Sequence, residues 1–148
     1  MAADDPGQNP EMLAPEALAR AEAALAALHG DYLTWAANDL DRLRCAVAAL
    51  RRTAAGGRAE AARVVFAIAH DIKGQAATFD YPLLSRLGMA LCRLAEAGEG
   101  ACATRAEALT AAMGLVLQDR LTGDGGDRGR LLVARLEGLG IAVPVLSV

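Results

Sequence analysis

Two histidines are present in this chain, His29 and His70, and the second stands in a setting that could do chemistry. It lies in the run Phe66-Ala67-Ile68-Ala69-His70-Asp71-Ile72-Lys73-Gly74-Gln75-Ala76-Ala77-Thr78-Phe79. At helical spacing His70 is turned roughly 200° from Ile68, away from the apolar stripe Ala61, Val65, Ile68, Ile72, Ala76 and Phe79. An outward imidazole that is partly neutral near neutral pH is a usable nucleophile. Lys73, one turn later, offers a mobile positive charge suited to a phosphoryl group carrying close to two negative charges. Gly74 is the odd residue, because a glycine inside a helix costs about 1 kcal/mol relative to alanine. One turn after His70 it removes a side chain that would crowd the ring, and Ala77 keeps the next turn low. Phe66, one turn before, is a candidate apolar docking contact, and Gln75 a candidate hydrogen-bonding neighbour.

Nucleophile, positive charge and clearance are what phosphoryl transfer asks of one partner, since the reaction depends mainly on in-line positioning and charge stabilisation. No metal-ligand motif accompanies the site. No Gly-rich phosphate loop or nucleotide fingerprint is present, so self-phosphorylation from ATP is not expected. The expectation is a phosphotransfer protein without kinase activity of its own and with no cofactor in this chain.

The run His70, Lys73, Gly74 resembles the H-x-x-K-G signature of histidine-phosphotransfer (HPt) domains, with the match extending from Phe66 to Leu87. The resemblance implies that His70 is the phosphorylated residue, Lys73 the charge-complementing lysine and Gly74 the small residue that admits a partner. Thr78 falls where such domains often carry a small hydroxyl residue, and Asp80 where a glycine is frequent. It further implies response-regulator receiver domains and a (hybrid) histidine kinase as partners, with the Mg²⁺ and the accepting aspartate in the receiver. A second reading is a metal-dependent phosphohydrolase of the HD type, because His70-Asp71 is an HD dipeptide and His29 precedes it. That reading needs inward-facing ligands and leaves Lys73 and Gly74 unexplained. A third is a non-catalytic helical adaptor.

The elements that must hold the site are helical. Hydrophobic residues make up 54% of the 148, many of them alanine, and aromatic residues only 3%. Alanine favours helix and gives a sheet little to pack. Residues 1–10, with prolines, glycine and aspartates, are expected to be a flexible lead-in. Leu18, Ala21, Leu25 and Leu28 recur on one face of a first helix expected to end at Gly30. Asp31 is expected to cap a second, with Leu33, Ala36, Leu40, Leu43, Val47 and Leu50, up to Gly56 and Gly57. The third carries His70 and stops at Asp80, which would cap a fourth that has Pro82 in its first turn and Leu84, Leu87, Leu91 and Leu94 as its seam. Gly88 there would allow close helix approach. Thr104 with Glu107 matches a capping box for a fifth, with Leu109, Met113 and Val116 inward. After the loop Gly123 to Gly126, Leu132, Val133 and Leu136 mark a short last helix, and residues 141–148 a tail.

The predicted fold is all-α, an up-down antiparallel four-helix bundle over 11–140 with an additional N-terminal helix and a short C-terminal helix. Cys45, Cys92 and Cys102 are odd in number and far apart, reading as buried apolar residues in a reducing compartment. No basic region followed by an apolar run opens the sequence, and no stretch is apolar for long enough to span a bilayer. A net charge of −3 with scattered arginines offers no footprint for nucleic acid. A cytoplasmic protein with neither nucleic-acid nor membrane partners is the expectation.

Overall fold

A computed structural model describes residues 14–97 and 103–146. Residues 1–10, expected to be flexible, and Cys102 lie outside them. The described residues form helices α1 (Pro15–Arg52), α2 (Arg58–Thr78), α3 (Pro82–Glu96), α4 (Ala103–Gln118) and α5 (Gly126–Gly138), with a 3₁₀ turn at Ala55–Gly57. They contain no strand, and no helix among them is long and apolar enough to cross a membrane.

The expected break at Gly30 does not occur. α1 runs without interruption from Pro15 to Arg52, so the separate N-terminal helix of the prediction is the first half of one long helix. Gly30 keeps a negative φ, and Thr34 Oγ1 donates to its carbonyl at 3.3 Å. A penalty of about 1 kcal/mol at one glycine is too small to end a helix whose neighbours are mostly alanine and leucine. Asp31 is therefore a mid-helix residue and caps nothing.

Two units are distinguished by their internal contacts, up to Thr34 and from Trp35 onward. In the first, Leu18, Leu25 and Leu28 are exposed, and the His29 ring lies 6.5 Å from that of Tyr32.

In the second unit, α2 and α3 pack along each other in opposite directions: Ser85 meets Lys73, Gly88 meets Ala69, and Cys92 meets Phe66. Leu40 and Arg44 of α1 lie against Gly114 of α4, and Arg51 Nε donates to Glu107 Oε1 at 2.9 Å. Leu43, Val65, Leu84, Leu87, Leu91, Leu109, Met113 and Val116 are fully buried, as their spacing predicts. Leu94 is only half-buried. Glu107 serves this pairing, and Thr104 lies inside α4, so the predicted capping box is not formed.

The turn between α2 and α3 also departs from expectation. Tyr81, not Asp80, is the N-cap of α3, without a side-chain cap, while Pro82 opens the helix as predicted. Asp80 instead closes α2: it takes a left-handed conformation, φ 64°, and the Tyr81 amide donates to Ala76 O at 2.9 Å. That six-to-one closure usually uses glycine at the left-handed position, and aspartate is among the few residues that tolerate it. Ile141 and Val143 of the C-terminal tail are buried, and Arg86 Nε donates to Pro144 O at 2.8 Å. Cys92 is buried as expected, but Cys45 is exposed.

Candidate functional site

His70 lies in the middle of α2 with its side chain exposed, on the face opposite Ile68 and Ile72, which are buried. The helical stripe that buries Val65, Ile68, Ala69, Ile72 and Ala76 against the rest of the unit leaves position 70 outward. Phe66, half-buried one turn earlier, stacks on the imidazole, with ring centroids 5.8 Å apart and planes 23° apart. An aromatic face against one side of the ring limits its rotation and leaves the opposite side open. Sequence spacing brings Phe66 and His70 together, but the stacking itself is a finding of the structure.

Gly74 has nothing within 4 Å of the place a Cβ would occupy. No neighbour among the described residues requires a glycine there, so packing does not account for it. Ala77 and Gln75 are exposed on the following turns, and Lys73 is half-buried one turn after His70. His70, Gly74 and Ala77 thus line one outward strip, with Phe66 and Lys73 at its margins.

Gly88 behaves in the opposite way. A methyl group there would stand 3.2 Å from Ala69 O and 3.2 Å from Lys73 Cβ, so α3 approaches α2 closely where the glycine permits it. Three residues earlier, buried Ser85 donates from Oγ to Lys73 O at 2.9 Å. One turn further, Cys92 Sγ lies 3.9 Å from Phe66 O. Ser85, Gly88 and Cys92 form one small-residue stripe on α3 that holds the backbone of α2 on both sides of His70. The sequence points to Gly88 as a place of close approach and to Cys92 as buried, but does not single out Ser85 or the stripe the three make together. Their spacing of three and four residues was a usable signal. Burial raises the Cys92 thiol above its ordinary range; nearby Lys73 opposes this and Glu96 adds to it.

Two shallow hollows border α2, one beside Phe66 and one on the far side at Ile68. One, about 340 Å³, is lined by Ala59, Ala62, Arg63, Phe66, Ala95 and Glu96; the other, about 530 Å³, by Asp41, Arg42, Cys45, Ala46, Val64 and Ile68. Neither includes His70. The imidazole is exposed, so a reacting partner can reach it from outside. Arg63 pairs with Glu60 at 2.8 Å, and Arg86 is committed to the tail.

Among the described residues no three His, Cys, Asp or Glu side chains gather as a metal-ligand set. Comparisons with protein-family models, with curated proteins and with solved structures find no match to this chain.

Proposed function

We propose that the protein is a phosphorelay intermediate that carries a phosphoryl group on His70. In the first step a ring nitrogen of His70 attacks the phosphorus of an aspartyl phosphate on a receiver domain. The P–N bond forms as the P–O bond to the carboxylate breaks, and the leaving carboxylate stays with the partner. In the second step a carboxylate oxygen of another receiver's aspartate attacks the phosphorus, the new P–O bond forms as the P–N bond breaks, and the ring nitrogen of His70 leaves with the electron pair. Lys73 offsets charge on the phosphoryl oxygens. Gly74 and Ala77 leave room for the partner, and Phe66 with Gln75 lies at the docking margin. The receiver supplies Mg²⁺; this chain contributes nucleophile, charge and clearance.

The observation that carries the reading is the outward strip of α2: an accessible imidazole backed by an aromatic ring, followed by a glycine that no packing among the described residues requires. The arrangement of helices agrees with an up-down four-helix bundle made of the second half of α1 with α2, α3 and α4. A relay between soluble receivers and a (hybrid) histidine kinase belongs in the cytoplasm, without nucleic-acid or membrane partners. Neither the HD phosphohydrolase nor the adaptor has an observation in its favour that the relay lacks.

The test is phosphotransfer from a labelled receiver domain. Label should appear on this protein as an acid-labile, base-stable phosphoramidate, and His70→Gln should remove all of it. Label of that kind on any other residue would overturn the assignment. Gly74→Gln should keep helix content while slowing transfer, and normal transfer by that variant would refute the clearance argument.

A further inference from the structure

The first half of α1 carries leucines that nothing among the described residues of its own unit covers. Leu18 is 48% exposed, Leu25 67% and Leu28 45%. Residues 23–28, Ala-Ala-Leu-Ala-Ala-Leu, hold no charge, and all six are exposed. A helix segment that is apolar on every side is ordinarily buried, and a contiguous exposed apolar strip marks a contact surface.

We infer that residues 15–34 of α1 pair with the same segment of a second copy of this chain, through a seam of Leu18, Ala21, Leu25 and Leu28. The spacing of that seam, three then four then three, is the a/d pattern by which two like helices interlock their side chains. In a parallel, in-register pair the flanking positions set Ala17 against Glu22 and Ala24 against His29, so no like charges face each other. The size also fits. A helix of about 20 residues is ~30 Å long, and covering about half its circumference removes about 500 Å² from each copy, ~1,000 Å² from the pair. That meets the lower limit for a specific interface, so a dimer in reversible exchange at micromolar concentration is expected. A lipid surface suits the segment less well: its charged residues are Glu16, Arg20, Glu22 and Asp31, whereas helices that lie on membranes line their polar face with lysine and arginine.

Sedimentation equilibrium of the full chain, up to about 100 μM, tests the pairing. Twice the 15.3 kDa chain mass is expected at the upper end, falling toward 15.3 kDa on dilution. Leu25→Asp should give 15.3 kDa at every concentration with helix content by circular dichroism kept, because the residue is exposed. Ala23→Asp, on the face away from the seam, should leave the dimer in place. A wild-type chain that is monomeric throughout would overturn the inference, whether or not it binds anionic vesicles. So would a dimer that survives Leu25→Asp, or one that Ala23→Asp dissolves equally well.

Discussion

The α2–α3 hairpin and the first half of α1 are built from the same residue types at the same spacing, yet they end in opposite environments. In the hairpin, Ile72, Leu84, Leu87 and Leu91 are at most 3% exposed; in α1, Leu25 is 67% exposed. Alanine fills most of the intervening positions in the first half of α1, whereas Ser85, Arg86, Gly88 and Met89 stand between the leucines of α3. Apolar periodicity thus identifies a face that needs cover, and does not identify what covers it. In the hairpin the cover comes from the next helix, joined by a three-residue turn, and the small side chains Ser85, Gly88 and Cys92 let the two backbones approach. The first half of α1 has no such neighbour among the described residues of its own unit.

The contrast can be broken most directly by truncating one leucine in each region. Leu87→Ala should destabilise the fold by about 2–5 kcal/mol, because it leaves a cavity in a filled core. Leu25→Ala, at concentrations where the chain is monomeric, should shift stability by under about 0.5 kcal/mol. Urea denaturation of both variants is the measurement, and equal losses would show that the two faces are covered alike.

The two helical glycines around the site sharpen the comparison on a smaller scale. Gly88→Ala should cost about 1–3 kcal/mol, since its methyl would press on Ala69 O and Lys73 Cβ. Gly74→Ala should raise stability by about 0.5–1 kcal/mol, because the methyl enters open space and helix propensity improves. Thermal and urea unfolding of the pair should therefore move in opposite directions. A destabilised Gly74→Ala would mean that the glycine serves packing after all.

The smallest effect expected is on pH dependence. The folded-state pKa of Cys92 is raised, chiefly by burial, so folding favours the neutral thiol. Its contribution is fully present below the ordinary thiol pKa and is lost as pH rises through the folded value. Tyr81, also raised chiefly by burial, acts in the same direction at higher pH. Stability should be level around neutrality and begin to fall above pH 9, and Cys92→Ala should remove the earlier part of that decline.

Much of the site was legible in the sequence because it depends on local geometry. The 100° step places His70 opposite Ile68 whatever packs on the stripe, and Gly74 stands out because a mid-helix glycine has a known cost. One turn of helix brings Phe66 next to His70, while the stacking of the two rings was not legible and came only with the structure. Ser85 was harder to read, since a serine inside a leucine-rich helix looks like any exposed polar residue until the carbonyl of Lys73 is seen opposite its hydroxyl.

By itself the sequence determined an all-helical chain, the course of α2, α3, α4 and α5 to within a few residues, and the outward direction of His70, all consequences of propensity and periodicity within one element. Only the tertiary structure decided that α1 passes through Gly30, that Asp80 ends α2 in a left-handed turn instead of capping α3, that Gly88 is crowded while Gly74 is free, and that Leu18, Leu25 and Leu28 stay exposed. Each of these turns on residues distant in sequence or on small differences between competing local conformations. Differences of about 1 kcal/mol are settled by the surroundings and not by the residue alone.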